Sequence, residues 1–333
     1  MTKRSVTICD IAKAVNMSEA TVSLALNGNS LVKLETRELI KKVADELGYV
    51  PNLYARRLVR QKSGMLGLVV PDIENIYYSS FVKELSDRVS EIGFSLSIFI
   101  SSNSPAKEER AIRDMIASKV EGIIYVPINL PLDLSASLKL LKTSDIPTVC
   151  ATTFIEDMSC VYCDLESGMH SLVEKILSRF PKRVAYMTGL SGTWTIDCRT
   201  KAFIESLNEN VDFEIVCIDK IDYTAAFDAA EKFIKSPPDA IVCVNDFVAL
   251  GVVNRLVSAG IKIPETVSVA GFDDSIFSIT SPIPLTTVRQ DIKALALNTA
   301  ELIKKLISEK SSEYEKIRIP TEVIERNSTV NIF

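Results

Sequence analysis

Short apolar segments alternate with amphipathic stretches along most of this chain, and that alternation constrains the fold more than any other feature. The stretches Phe81–Gly93 and Asp246–Gly260 have the spacing of amphipathic helices. Such alternation is typical of parallel sheets covered by helices on both faces. The many strands favour two sheets, hence two lobes, and the rhythm restarts near Asp164. The predicted strands are Leu66–Pro71, Ser95–Ile100, Gly122–Val126, Thr148–Ala151, Val184–Thr188, Glu214–Ile218, Ala240–Val244, Val267–Gly271 and Leu285–Val288.

Length and composition predict a cytoplasmic protein of two or three domains. A chain of 333 residues, 47% of them hydrophobic, has room for a large core at roughly 100–200 residues per domain. No apolar run reaches the ~18 residues of a membrane span. The N-terminal residues carry charges and no apolar stretch of the signal-peptide kind. The 7 scattered cysteines indicate reduced thiols rather than a disulfide framework.

Residues 7–27 follow a different pattern, that of two short helices with a tight break between them. Thr7, followed three residues later by Asp10, resembles a capping box, and Ser18 is placed to cap the second helix. A helix pair of this kind inserts one helix into the major groove of DNA. The residues of the second helix expected nearer the outer surface are Glu19, Ala20, Ser23 and Leu24.

A third helix and a short fourth helix are predicted next. After Pro51, Asn52 can cap a helix from Leu53 to about Val59, which is too short to be stable alone in water. We therefore expect it to form only against a second copy of the chain or against DNA, where its arginines suit phosphate contact. The third helix covers about 34–47, and its inward positions are predicted to be Leu39, Ile40, Val43, Ala44 and Leu47.

The charges divide the chain in the same place. Residues 1–62 hold 11 Lys and Arg against 6 Asp and Glu, a net charge of +5, whereas residues 63–333 hold 27 against 37, a net charge of −10. A basic segment on an acidic body favours a polyanion at one end only. A basic segment can also be a plain solvated surface, but the helix pair makes DNA the better interpretation.

Polar and aromatic side chains follow four of the predicted strands. Ligands of parallel α/β sheets bind beyond the carboxyl ends of the strands, which places these side chains in a cleft between the lobes. Aromatic rings, amides, carboxylates and a guanidinium suit a flat polar ligand with hydroxyl groups, such as a sugar or a nucleobase. The segments at these strand ends are 71–78, 189–199, 244–246 and 271–274.

Two runs near the N-terminus carry a resemblance to a known family. They read VTICDIAKAVNMSEATVSLALNG and TRELIKKVADELGYVPNLYARRL, and with the rest of the chain they resemble the lactose-repressor/galactose-repressor (LacI/GalR) family of bacterial transcription regulators. The resemblance implies an α/β two-lobed periplasmic-binding-protein-like sensor, with two parallel sheets and flanking helices, behind an N-terminal all-α helix-turn-helix DNA-binding domain. The implied parts are the DNA-binding domain, 1–50; the hinge helix and linker, 51–62; the first lobe, 63–161 plus 291–320; and the second lobe, 162–290 plus 321–333.

The resemblance also implies which residues contact DNA. The second helix would enter the major groove, and the hinge helices of a dimer would pair in the minor groove, where Leu58 matches a leucine that wedges between base pairs. The family often has Arg where this chain has Leu24, which leaves the operator sequence open, because leucine offers only apolar contact to a base. The backbone-contacting positions are Thr7, Ser18, Thr21, Ser23, Asn27 and Asn52; the base-reading positions are Glu19, Ala20 and Leu24; Ala55, Arg56 and Leu58 complete the set in the hinge.

The pocket positions implied by the same resemblance lie at the strand ends. Arg199 is predicted to donate two hydrogen bonds to ligand oxygens, and Asp273 to accept from ligand hydroxyls. Trp194, which the residue pattern adds, and Tyr78 would stack on the ligand. Tyr77 can instead be core, Asn245-Asp246 can cap the following helix, and Asp274 is expected to be solvated or a local cap. The predicted ligand-binding set is Tyr77, Tyr78, Trp194, Arg199, Tyr223, Asn245 and Asp273.

Motifs for catalysis or metal binding are weak in this sequence. Cys160 and Cys163 form a CxxC with His170 nearby, but alternation along a strand would place the two thiols on opposite faces, so buried thiols are expected rather than a metal site. The sequence has no GxSxG, Walker loop, GxGxxG or HExxH motif. We therefore predict no enzyme activity, no cofactor and no metal.

Together these observations predict a ligand-responsive transcription regulator. It is expected to repress carbohydrate-utilisation genes and to bind a palindromic double-stranded DNA operator as a homodimer, with a small-molecule effector, a sugar or sugar derivative, and no membrane. The alternative is a solute-binding protein without DNA function. Such a protein would share the body but would need a signal peptide, and it would have no use for residues 1–60.

Overall fold

The computed structural model describes residues 6–49, 63–128, 136–309 and 313–329. The chain divides into two compact units, residues 1–63 and 64–333. Among the described residues, no helix is both long enough and apolar enough to cross a membrane. The predicted hinge helix at 53–59 lies outside the described residues.

The N-terminal unit contains three short helices, α1 (Ile8–Ala14), α2 (Glu19–Leu26) and α3 (Leu34–Glu46). The capping prediction for α1 is confirmed, because Asp10 accepts hydrogen bonds from the Thr7 backbone N–H at 2.9 Å and from its hydroxyl at 2.7 Å. The break before α2 contains Asn16 with φ +52°, a backbone conformation that Asn tolerates. The fully buried residues of the small core are Ile11, Val22, Ala25 and Ile40.

Two inward positions predicted for α3 are wrong. Leu39 and Leu47 are 48% and 41% exposed, whereas Ile40 and Ala44 are buried. A 13-residue helix packed against only two short helices buries a narrow stripe, so flanking leucines stay in contact with solvent.

The second unit contains a six-stranded sheet in the order β11-β5-β4-β3-β1-β2. All its pairings are parallel. Two helices, α4 and α12, pack on one face, and α5 and α6 pack on the other. The elements are β1 (Met65–Val70), α4 (Ile76–Glu91), β2 (Ser95–Ile100), α5 (Pro105–Ala117), β3 (Gly122–Tyr125), α6 (Ala136–Thr143), β4 (Thr148–Ala151), β5 (Ser159–Cys163), α12 (Ile292–Glu309) and β11 (Lys316–Ile319).

A second parallel sheet has four strands in the order β7-β6-β8-β9. Its faces are covered by α7 and α8 on one side and by α9 and α10 on the other. Beside it lies an antiparallel pair, β10 and β12. The elements are α7 (Leu165–Leu177), β6 (Arg183–Gly189), α8 (Trp194–Ser206), β7 (Asp212–Ile218), α9 (Tyr223–Ala229), β8 (Ala240–Cys243), α10 (Asp246–Ser258), β9 (Ser268–Ala270), α11 (Ile276–Thr280), β10 (Thr287–Gln290) and β12 (Thr321–Ile324).

Eight of the nine predicted strands lie in the two parallel sheets, with small shifts at their ends. The ninth, predicted at 285–288, runs over Thr287–Gln290 and pairs antiparallel with β12. Its apolar residues Leu285 and Val288 are buried, so the strand itself was predictable, but its partner is distant in sequence. The strand β5 extends to Cys163, beyond the lobe boundary predicted at 161.

Candidate functional site

The α2 helix presents its predicted base-reading residues outward. Glu19, Ala20 and Leu24 are all exposed, while Val22 and Ala25 on the opposite face are fully buried. Ser18 lies at the start of α2, and its hydroxyl accepts from the Thr21 backbone N–H at 3.1 Å. The N-terminal end of this helix is thus free to approach another molecule.

The predicted backbone-contacting residues have local partners as well. The Thr21 hydroxyl is 2.8 Å from that of Ser18, and the Asn27 amide donates to Ser23 O at the end of α2 at 2.8 Å. Thr7 and Ser18 are exposed, whereas Thr21, Ser23 and Asn27 are half-buried. The predicted contacts Asn52, Ala55, Arg56 and Leu58 lie outside the described residues and stay predictions.

A hydrogen-bonded relay connects the two lobes. The Tyr77 hydroxyl, on α4 of the first lobe, donates to Gln290 Oε1 at 3.0 Å, and Gln290 Nε2 donates to Asp273 Oδ1 at 2.7 Å. Asp273 follows β9, and its backbone has φ +109°, an uncommon conformation for a residue other than glycine. A hydrogen bond from its N–H to Val288 O at 2.8 Å holds it in place.

Arg199 lies beside this relay on α8 and is only 8% exposed. Its Nη1 donates to Val244 O at 2.6 Å and its Nε to Thr195 O at 2.8 Å. The guanidinium also lies over the Phe272 ring, 5.0 Å from its centroid. These bonds orient the planar group and leave N–H donors of the fork for a ligand.

Burial and one nearby cation have opposite effects on the pKa of the Asp273 carboxyl. Burial raises the pKa of Asp273 to about 6, and the nearby Arg199 guanidinium opposes that rise. Burial also raises the pKa of the Tyr77 hydroxyl well above its ordinary value, so this group stays a neutral donor. The site therefore offers a guanidinium, a carboxylate and an amide to a ligand with several hydroxyl groups.

The other predicted ligand residues are placed less centrally. Tyr78 packs edge-on against Tyr77 and is buried. Asn245 is buried and caps α10, where its Oδ1 accepts from the Val248 N–H at 2.9 Å. Trp194 contacts Tyr162 and Phe154 rather than the relay. Tyr223 is stacked on Phe227, and its hydroxyl accepts from Asn254 Nδ2 at 3.1 Å. The structure thus brings Tyr77, Tyr78, Arg199 and Asp273 together, with Asn245 next to the Arg199 anchor.

Three polar residues of this region have partners that the sequence does not predict. Asp274 is not solvated, because its carboxylate pairs with Arg326 at 2.6 Å and with Arg289 at 2.8 Å, which lowers its pKa. Asp246 does not cap its helix; its buried carboxylate accepts from the Ser275 N–H at 2.7 Å and from the Thr287 hydroxyl at 2.6 Å. Gln290 was missed, since a lone glutamine in a short strand gives no sequence signal.

Two family profiles match the chain. The profile described as "Bacterial regulatory proteins, lacI family" matches residues 7–52, and the profile of a "Periplasmic binding protein-like domain" matches residues 173–329. The first covers the helix pair, and the second covers the helices and strands that carry Arg199 and Asp273. The chain belongs to the lacI family of bacterial regulatory proteins.

This lacI-family chain has relatives of the same length. It is 28% identical over 329 residues to the HTH-type transcriptional regulator DegA of Bacillus subtilis (strain 168), covering 97% of this chain and 98% of that protein. It is therefore a DNA-binding transcription regulator with a helix-turn-helix domain and a periplasmic-binding-protein-like sensor. The relatives are transcription regulators rather than enzymes.

Solved structures of the lac repressor and of another transcriptional regulator share the fold. The lac repressor dimer bound to operator and the anti-inducer ONPF superposes with a TM-score of 0.89 at 22% identity, covering 98% of this chain and all of that one. The CelR–cellobiose complex superposes with a TM-score of 0.73 at 23% identity, covering 97% and 99%. These likenesses confirm the predicted fold class.

An open groove of about 570 Å³ lies elsewhere on the second lobe of this lacI-family protein. It is bordered by one face of α8 and by β7, including Ile196, Thr200 and Ile215. None of the predicted ligand residues lines it. Its walls carry the Asp197 and Glu205 carboxylates and the Lys201 ammonium but no guanidinium and no side-chain amide, so its chemistry differs from that of the relay.

The CxxC cysteines separate as alternation predicts. Cys160 packs with the α5–α6 side of the six-stranded sheet and Cys163 with the opposite side. His170 hydrogen-bonds through Nδ1 with Ser206 Oγ at 2.7 Å, on the surface of the second lobe. The two thiols and this imidazole therefore do not form one site.

Proposed function

We propose that this lacI-family regulator represses genes of carbohydrate use. It binds a near-palindromic operator as a homodimer, and a sugar or sugar derivative binding at the relay between the lobes changes that affinity. The observation that carries the proposal is the convergence of Arg199, Asp273 and Gln290 at the strand ends, with Tyr77 reaching them from the other lobe.

The chemistry of the relay favours a sugar over other small ligands. Arg199 offers paired donors, Asp273 offers an acceptor, and Gln290 offers both, which matches a ring with adjacent hydroxyl groups. The buried Phe272 ring supports the Arg199 guanidinium, and the Tyr78 ring beside Tyr77 adds apolar surface against a ring face. A site that satisfies every hydroxyl rejects analogues that lack one, because its own buried polar groups would be left unpaired.

Exposed polar and apolar positions on α2 support operator binding. Glu19 can accept from a cytosine amino group, and Ala20 and Leu24 can contact thymine methyl groups. A symmetric dimer would place its two α2 helices in major grooves about 34–36 Å apart. The net charge of +5 on residues 1–62 supports contact with the phosphate backbone.

Communication between the two sites is proposed to run through the hinge. The effector changes the angle between the lobes, which shifts the first lobes of the dimer and thereby brings together or separates the two hinge segments around Leu58. A bistable hinge that is biased by both ligands meets the requirement for allosteric coupling.

The alternative function, solute binding without DNA, is less well supported. The capped helix pair with an outward-facing polar surface has no role in a protein that only carries a solute. Operator binding by the purified chain separates the two functions directly.

A thermal-shift panel followed by operator binding tests the proposal. The purified chain is heated with sugars, sugar phosphates and nucleobases; a ligand at about 100 times its Kd adds about 2.7 kcal/mol to stability. The expected result is that one class of sugar raises Tm and changes operator affinity. A nucleobase as the responding ligand would overturn the sugar assignment, and absence of specific DNA binding in a genomic selection would overturn the regulator assignment.

A further inference from the structure

Three metal-ligating side chains converge between α7 and α8, away from the effector relay. Glu166 and His170 are four residues apart on α7, so they share one helix face. Glu205 reaches them from α8, and the ligand atoms of all three residues lie within 4.8 Å of one another. Their side chains are 46%, 35% and 47% exposed, so an ion can enter directly from solvent.

The hydrogen bonds of His170 aim one ring nitrogen at the carboxylates. Ser206 donates its hydroxyl hydrogen to Ala202 O at 2.8 Å. The same oxygen, 2.7 Å from His170 Nδ1, therefore accepts the Nδ1 hydrogen. In the neutral ring the lone pair is then on Nε2, which lies 3.9 Å from Glu205 Oε2. A hydrogen-bonded Nδ1 that fixes the tautomer is the usual support of a metal-ligating histidine.

A cation already approaches this arrangement. Lys201 Nζ lies 3.4 Å from Glu166 Oε1 and 3.7 Å from Glu205 Oε1. The two carboxylates raise the pKa of this ammonium. The ammonium and a zinc ion would bind the same two carboxylates and repel each other, so the lysine acts as a competitor that the metal must displace.

We propose that Glu166, His170 and Glu205 bind a zinc ion between α7 and α8, with Lys201 swinging away into solvent. One imidazole nitrogen and two carboxylate oxygens are ligands that zinc accepts, and a water completes a tetrahedral set. The imidazole favours zinc over magnesium, which takes oxygen ligands. The side chains need only surface rotations to reach bond distances of about 2.0–2.2 Å.

The ion would join two packed helices of which one, α8, also carries Arg199 and Trp194. Zinc would restrict the movement of α8 relative to α7 near the C-terminal end of α8, where Glu205 lies. This site does not depend on the identity of the effector or of the operator.

Calorimetric titration of the full, EDTA-treated chain with zinc chloride tests the site. The wild type is expected to bind one zinc per chain, and magnesium chloride to give no saturable binding. His170→Ala and Glu205→Gln each remove a ligand and should weaken zinc by more than tenfold, while Ser206→Ala, which frees the ring, should weaken it by roughly 10-fold. Glu265→Gln, the same exposed carboxylate-to-amide change before β9 and outside α7 and α8, is the matched control and should leave zinc binding unchanged.

Lys201→Met separates a metal site from a plain surface ion pair. Removing the competing ammonium should tighten zinc binding and increase the rise in Tm that zinc causes. Weaker or unchanged binding in this variant would overturn the proposal, as would equal binding by wild type and Glu205→Gln. Because Glu205 is exposed, its variant stays informative if His170→Ala fails to fold, and zinc binding that no variant alters would mean an adventitious ion only.

Discussion

Arg199 is the residue on which the proposed effector site depends most. Replacing it with Ala removes the donors to Val244 O and Thr195 O and the cation opposite Asp273. We expect effector affinity to fall by about 1.5–3 kcal/mol, roughly 10- to 150-fold, with operator binding retained. Arg199→Lys keeps the charge without the planar fork and should recover only part of the loss. Titration of effector into each variant measures this; a normal dose response from Arg199→Ala would refute the assigned role.

Asp273 is expected to make the free energy of unfolding fall as the pH rises. Its pKa is raised to about 6 in the fold, first by burial, against the opposing effect of Arg199. A raised carboxyl pKa stabilises the folded chain at low pH, and that contribution is lost as pH rises from about 4 through 6. Relative to Asp273→Asn, the wild type should lose about 1 kcal/mol of unfolding free energy between about pH 5 and pH 7.5. Urea unfolding of both chains at the two pH values checks this, and a difference independent of pH would contradict it.

Some residues of the candidate effector site can be predicted from the sequence, and others cannot. Arg199 and Asp273 were predictable because each lies in a segment that follows a predicted strand. Gln290 lies on β10, and the parallel bridge between Arg289 of that strand and Asp273 brings it into contact with the Asp273 carboxylate. Asp274 was misjudged for a similar reason, since its partner Arg326 is distant in sequence.

At the scale of elements, the sequence predicted helices and strands correctly where a helix cap or a continuous apolar run marked them. Thr7 and Ser18 cap their helices as expected, and strands such as β1 and β3 are buried on both faces. The edge strand β11 and the strand β12 are half-exposed. Their sequences therefore lack a continuous apolar run, and neither is among the nine predicted strands. The exposed leucines of α3 could not be predicted for a related reason. Hydrophobic periodicity indicates which face of a helix turns inward, but not how wide a stripe of that face its neighbours cover.

The hinge is the element whose role rests on sequence alone, and Leu58 tests it. If Leu58 wedges between base pairs, Leu58→Ala should weaken operator binding at least tenfold, about 1.4 kcal/mol, and leave effector binding intact. Leu39→Ala, a half-exposed leucine on α3 outside the predicted contact set, is the matched control. Fluorescence anisotropy with labelled operator measures the operator affinity of both variants. An unchanged affinity in Leu58→Ala would contradict the proposed role of the hinge.

At the scale of the whole molecule, the DNA-binding segment and the sensor body carry net charges of opposite sign. Residues 1–62 carry +5 and residues 63–333 carry −10, so a polyanion is attracted to one end and repelled by the other. The proposed effector, a neutral sugar, would be held by short hydrogen bonds at a buried relay, where dissolved salt screens little. The two ligands should therefore differ sharply in their response to ionic strength.

Salt titration on one preparation tests that difference. A dimer that makes 6–10 phosphate contacts should lose about 10³–10⁵ in operator affinity between about 50 mM and 200 mM salt, whereas effector affinity should change by less than about twofold. Lys13→Gln on α1, one charge fewer per subunit, should flatten the operator slope without altering effector binding. An operator affinity indifferent to salt would mean that the basic end does not meet the DNA backbone. A steep slope for the effector would instead indicate an anionic ligand, such as a sugar phosphate, held by Arg199.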